Sequence, residues 1–81
     1  MDEQDILTGV IAELTSIAPE LNPAKLEHAK RLREQVDLDS MDWLNLLLGL
    51  HRRFKVDIPE ADYARLRSLD DLIAYLRVKL T

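Results

Sequence analysis

Leu38-Asp39-Ser40-Met41-Asp42-Trp43-Leu44-Asn45-Leu46-Leu47-Leu48-Gly49-Leu50-His51-Arg52-Arg53-Phe54-Lys55 is the stretch that decides the fold. Leu44, Leu47, Leu48, Leu50 and Phe54 recur at helical spacing and give a broad apolar face. Asp39 and Ser40 are both good N-cap residues, because a short side-chain oxygen can accept from an unpaired first-turn N–H. Asp42 falls in the first turn, and His51, Arg52, Arg53 and Lys55 fall at the end. That order of charge suits the helix dipole at both ends. The pattern predicts a helix from Ser40 or Met41 to about Phe54. On position alone, Ser40 reads as a cap.

Outward toward the N-terminus lies a long connection, residues 19–39, broken early by Pro19 and Pro23. Unstructured loops of that length are unusual in a small domain. A helical turn or two is expected between residues 23 and 33, with Pro23 at a first helical position and Leu26, Ala29 and Leu32 as its apolar stripe. Leu32, Val36 and Leu38 should pin the connection to the core. Before it, Ile6, Leu7, Val10, Ile11, Leu14 and Ile17 paint one stripe and predict a helix over about residues 5–18. Asp2, Glu3 and Asp5 suit its positive end, and Pro19 stops it.

Toward the C-terminus, Ile58-Pro59-Glu60 opens a short third helix over about residues 60–65. Ser68 and Asp71 form a capping-box variant, with Asp in place of the usual Glu or Gln. Leu69, Leu72, Ile73, Leu76 and Leu80 make the last helical stripe. The predicted fold class is all-α: a four-helix bundle of three main helices and a short third one, with a long loop between the first two main helices. Residues 1–81 are expected to form a single domain.

Composition narrows the function classes. An 81-residue chain is too small for a deep, many-layered enzyme cleft, since a domain of that size buries only about 60–65% of its unfolded surface. A net charge of −4 opposes nucleic-acid binding, which needs a positive surface, and favours partners with basic patches. The absence of Cys excludes disulfides, thiolate metal sites and a cysteine nucleophile; any thioester chemistry needs a borrowed thiol. Met1-Asp2-Glu3-Gln4-Asp5 lacks the basic-then-apolar order of a signal peptide. The longest apolar run, Leu46 to Leu50, is far short of a membrane span. A cytoplasmic monomer without stable membrane insertion is expected.

The triplet Asp39-Ser40-Met41, preceded by Leu38, resembles the Asp-Ser-Leu signature of the acyl carrier protein family, with Met replacing Leu. The likeness extends to Leu32-Arg33-Glu34-Gln35-Val36-Asp37-Leu38 before it. It extends also to Phe54-Lys55-Val56-Asp57-Ile58-Pro59 and Ser68-Leu69-Asp70-Asp71-Leu72 after it. The resemblance implies a carrier rather than an enzyme. Ser40 would bear a covalent 4′-phosphopantetheine arm derived from coenzyme A, with Asp39 and Met41 flanking it, and the arm's thiol would hold acyl groups as thioesters. The implied partners are a phosphopantetheinyl transferase and acyl-transferring or acyl-activating enzymes. The family's docking face maps onto Met41, Asp42, Leu44, Asn45, Leu48 and Arg52. Leu47 and Leu50 read as core, Leu44 and Leu48 as either core or docking knobs, and Trp43 as a packed aromatic or a binding hot spot. Leu47, Leu50 and Ile73 are candidates for a cavity wall, should the bundle shelter the acyl chain.

Three departures stand out. Asn45, His51, Arg52 and Arg53 replace expected carboxylates on the second main helix; Asp37 stands where a Gly is common; Gly49 sits mid-helix. The charge change points to a specialised fatty acid, polyketide, nonribosomal peptide or lipid-modification pathway. The alternative is an unmodified interaction module of the same fold. A hydrolase reading is poor, because no strand-turn-helix elbow surrounds Ser40 and neither His28 nor His51 is placed beside it. Asp37, Asp39 and Asp42 mimic the start of a calcium loop, but Leu48 stands where that loop needs its final Glu. No metal site is expected.

Overall fold

The computed structural model describes residues 1–80. It contains α1 (Glu3–Ile17), α2 (Leu32–Gln35), α3 (Ser40–Phe54) and α4 (Leu69–Leu80), with 3-10 turns at Pro23–Lys25 and Glu60–Arg65. The fold is the all-α bundle expected, and α1 is the helix against which both α3 and α4 pack. It begins at Glu3 rather than Asp5 because the Asp2 carboxylate caps it, accepting from Asp5 N–H at 2.9 Å. At its other end Ala18 N–H bonds Leu14 O at 2.8 Å, and Pro19 follows.

Ile6, Val10 and Leu14 of α1 meet Leu46, Leu47 and Leu50 of α3 and Leu69, Leu72 and Leu76 of α4 in one fully buried core. Each such side chain contributes about 1.5–3 kcal/mol of transfer free energy. Leu47, Leu50 and Ile73 all lie inside this packed cluster. Two glycines set the approach of α1 to α3. A Cβ on Gly9 would lie 2.5 Å from Phe54 Cζ, and one on Gly49 would lie 2.8 Å from Glu13 Oε2.

The long connection is structured from two sides. Leu32, Val36 and Leu38 are buried as anticipated, together with Leu26. Ala29, expected in the same stripe, is exposed. The helical turns stop at Lys25 and resume only at Leu32, so no continuous stripe forms. Polar pairing holds the gap instead. Gln35 Nε2 donates to the carbonyls of Glu27 and Lys30 at 2.9 and 3.0 Å, and its Oε1 accepts from Glu27 N–H. Arg31 pairs with Ser68 in an isolated antiparallel bridge, with Leu32 N–H donating to Arg67 O at 2.8 Å.

The short third helix is a 3-10 helix, closed by i→i+3 bonds such as Leu66 N–H to Tyr63 O at 3.1 Å. It is tied to α4 by the Tyr75 hydroxyl, which donates to Asp62 Oδ2 at 2.6 Å. That bond chiefly, helped by Arg65 and opposed by burial, holds the Asp62 carboxyl below its usual range. Burial first, and the Asp62 bond second, push the Tyr75 hydroxyl up to about 12. At the start of α4, Ser68 Oγ accepts from Asp71 N–H at 3.1 Å while Asp71 Oδ2 accepts from Ser68 N–H at 3.2 Å. The anticipated capping box is therefore complete.

Candidate functional site

The start of α3 is held by its neighbours rather than by its own first residue. Leu38, only 5% exposed, anchors the approach in the core. Arg33 Nε donates to Leu38 O at 3.2 Å. Asp39 has extended backbone and is the cap: its Oδ1 accepts from Asp42 N–H at 2.8 Å, and its own N–H donates to Asp42 Oδ2 at 3.3 Å. Of the two cap candidates, Asp39 holds the position and Ser40 becomes the first helical residue.

That one-residue offset sets the chemistry of Ser40. As a cap, its oxygen would accept from the backbone and be drawn into the first turn. At the first helical position it is exposed, and its hydroxyl makes no hydrogen bond among the described residues. The unpaired first-turn N–H groups and the positive dipole end beside it suit a phosphate. A phosphopantetheine phosphodiester therefore fits this position: an open hydroxyl, a rigid base and a favourable backbone field. Asp39 and Asp42 oppose that field in part, but each is engaged with backbone N–H groups of the same turn.

Among the described residues, neither histidine forms a hydrogen bond with the Ser40 hydroxyl. His51 lies eleven residues on, about 16 Å along the helix axis. Its Nδ1 is 2.7 Å from Val56 O, and since a carbonyl only accepts, Nδ1 carries the proton and donates. His28 is exposed on the connection, and its carbonyl accepts from Asp70 N–H at 3.0 Å.

Residues 5–76 match the family described as "Phosphopantetheine attachment site". The acyl carrier protein of Campylobacter fetus subsp. fetus is 31% identical over 72 residues, spanning 89% of this chain and 88% of that one. The chain belongs to the acyl carrier protein family. A meromycolate extension acyl carrier protein from Mycolicibacterium aurum is 27% identical over 75 residues. The chain spans 76% of that protein and 64% of its Mycobacterium tuberculosis counterpart. The solution structure of a protein described as an acyl carrier protein from Anaplasma phagocytophilum superposes with a TM-score of 0.87 at 26% identity, covering 100% of this chain and 94% of that one. The protein is accordingly a carrier, not a catalyst, and its prosthetic group is phosphopantetheine.

On the carrier's third α-helix, Met41 is 64% exposed and Leu48 39% exposed, with Leu44 half-buried between them. Asn45 and Arg52 are exposed on the same face, at the three- and four-residue spacing that aligns side chains along a helix. Trp43 points elsewhere: it packs partly against the core and lines a groove of about 340 Å³ with Arg31, Arg33, Tyr63, Leu66 and Arg67. Asp37, standing where a Gly is common, has a negative φ, since Lys55 is the only non-glycine with positive φ among the described residues. No left-handed turn demands Gly there. The arginine groove has no counterpart in the sequence pattern, because Arg31 and Arg67 meet only through the bridge at Ser68. Among the described residues no helix is long and apolar enough to cross a membrane.

Proposed function

We propose that Ser40 bears the phosphopantetheine arm and that residues 1–81 act as one monomeric cytoplasmic carrier domain. The observation that supports this best is the open Ser40 hydroxyl beside a cap formed by Asp39. On modification the Ser40 oxygen loses its proton to a base of the transferase and forms the bond to the pantetheine phosphate of coenzyme A, whose bond to the adenosine bisphosphate breaks. The bound group supplies a flexible thiol that holds acyl cargo as a thioester. The chain's part is to present the attachment oxygen and a docking face of Met41, Asp42, Leu44, Asn45, Leu48 and Arg52.

The partners inferred are a phosphopantetheinyl transferase and acyl-transferring or acyl-activating enzymes of a specialised pathway. The support is the charge of α3, whose last turn carries His51, Arg52 and Arg53. A positive end there fits an acidic patch on a partner, the reverse of the usual arrangement. The relatives named for meromycolate extension favour chain elongation as the class of reaction served.

Intact mass after incubation with coenzyme A and a broad phosphopantetheinyl transferase tests the site. A gain of one phosphopantetheine is expected, and none in Ser40→Ala. An unchanged mass in the unmutated chain would overturn the assignment and leave an unmodified interaction module. Modification of Ser40→Ala would move the site elsewhere.

A further inference from the structure

The groove beside Trp43 gathers positive charge in a chain whose net charge is −4. Arg31, Arg33 and Arg67 line it, against a single carboxylate, Glu34. Arg33 is occupied in part by Leu38 O. Arg31 and Arg67 form no ion pair among the described residues, although the bridge at Ser68 brings their backbones together. Like charges so placed repel, and Glu34 is the one carboxylate among the lining residues to offset three arginines. Trp43, Tyr63, Ala64 and Leu66 line it with the arginines. Such a groove accepts a ligand with an apolar stem and an anionic end.

We infer that this groove is a cargo-specificity site, holding a short acyl group that ends in a carboxylate while it is tethered through Ser40. The inference rests on attachment at Ser40. Trp43 stands three residues beyond that serine, about one helical turn or 5 Å along the axis. A tethered group therefore reaches the groove at high effective concentration. At about 340 Å³ the groove is the size of a small-molecule site. Guanidinium forks match a carboxylate bidentately, and the aromatic side chains cover the methylenes. A methyl-terminated acyl group of equal length leaves the guanidiniums unpaired and gains only weak apolar contact there.

Trp43 is the chain's single tryptophan and lines this groove, so the chain's tryptophan fluorescence comes from a groove residue. The transferase is supplied with succinyl-coenzyme A, butyryl-coenzyme A or coenzyme A, and intact mass verifies each loading. The succinyl form is expected to shift the Trp43 emission and the Arg31 and Arg67 Nε–H resonances relative to the unacylated form. The shifts should fade as salt is raised, and the butyryl form should resemble the unacylated one. In the double variant Arg31→Gln/Arg67→Gln, the ratio of groove-bound to free succinyl group should fall about tenfold. Both side chains are exposed, so the variant should fold. Equal shifts for succinyl and butyryl forms, the full shift in the unacylated form, or a shift that survives in the double variant would each overturn the inference. Absence of loading would instead sink the Ser40 assignment. Titrating the unmodified chain with succinyl-pantetheine against butyryl-pantetheine then decides the groove on its own, with a response to succinyl only as the supporting result.

Discussion

Gly9→Ala and Gly49→Ala make the same chemical change at the same helix interface and should move stability in opposite directions. In a helix interior Ala is favoured over Gly by about 1 kcal/mol. At position 9 the new methyl would sit 2.5 Å from Phe54 Cζ, 3.2 Å from Phe54 Cε2 and 3.1 Å from Arg53 Cδ. Phe54 is only 7% exposed, so its ring cannot yield without disturbing the core. Overpacking of that kind costs about 1–3 kcal/mol, which outweighs the propensity gain and leaves a net loss centred near 1 kcal/mol. At position 49 the methyl meets the Glu13 carboxylate, at 2.8 Å from Oε2 and 3.0 Å from Cδ. That carboxylate ends a flexible side chain and can swing aside, losing at most its 3.1 Å pair with Arg53 Nε. A surface pair of that type contributes about 0–1 kcal/mol, so Gly49→Ala should be neutral or up to about 1 kcal/mol more stable. The gap between the variants, about 1.5 kcal/mol, corresponds to roughly 6–12 °C in Tm for a domain of this size. Circular dichroism melts and urea titrations of both variants would measure it. A Gly9→Ala protein as stable as the parent would refute the claim that the Phe54 ring fixes the separation of α1 and α3. A Gly49→Ala protein that loses more than its ion pair could contribute would show the Glu13 side chain to be immobile.

Lys55 ends α3 in the left-handed conformation, φ 55° and ψ 43°, where a side chain is strained and Gly is not. Lys55→Gly should therefore stabilise the fold by about 0.5–1 kcal/mol in urea titration; a loss would show that the lysine side chain makes up for the strain. Asp39→Asn keeps a good cap, since Asn and Asp cap about equally well, but removes the charge. Unchanged melting with slower transferase modification would assign the Asp39 charge to the partner enzyme, whereas modification at the parent rate would remove that role. Tyr75→Phe deletes the bond to Asp62. The stability tied to the lowered Asp62 carboxyl is present above its unfolded value, 3.8, and is lost as pH falls through the lower folded value. That tied to Tyr75 is present below 10.0 and is lost as pH rises through about 12. The Tm difference between parent and variant should thus be steady at neutral pH and shrink toward both extremes; a pH-independent difference would refute the linkage.

Much of the bundle was legible because its signals are local. Ser68 and Asp71 announced a capping box three residues apart, and the leucines of α3 and α4 fell on helical stripes. Pro19 marked the end of α1. The connection was half legible. Leu32, Val36 and Leu38 were readable as anchors because apolar residues in a polar stretch need somewhere to go. The Gln35 clasp on Glu27 and Lys30 was not, because nothing in a glutamine's sequence position says which backbone it will meet. Ala29 misled for the same reason: the loop's polar pairing, not a stripe, set its path. Beside Ser40 the ambiguity was chemical. Asp39 and Ser40 satisfy the same capping requirement, and only the backbone angles of Asp39 decide between them. The groove of Arg31, Arg33 and Arg67 depends on a bridge between segments 37 residues apart, and no periodicity records it.

The division of labour at the start of α3 ties the fold to the function. A helix end needs an acceptor for its free N–H groups, and the attachment proposed at Ser40 needs an uncommitted hydroxyl at the same place. One serine cannot serve both, because a capping oxygen is held against the backbone and turned away from an approaching enzyme. Placing an aspartate one residue earlier resolves the conflict. Asp39 and Asp42 satisfy each other's backbone, Leu38 is sunk in the core, and Arg33 holds the Leu38 carbonyl. Three independent constraints thus fix the base on which Ser40 stands, while none of them touches its oxygen. With attachment at Ser40, as proposed, that combination offers one backbone geometry to the transferase and leaves the hydroxyl free to react.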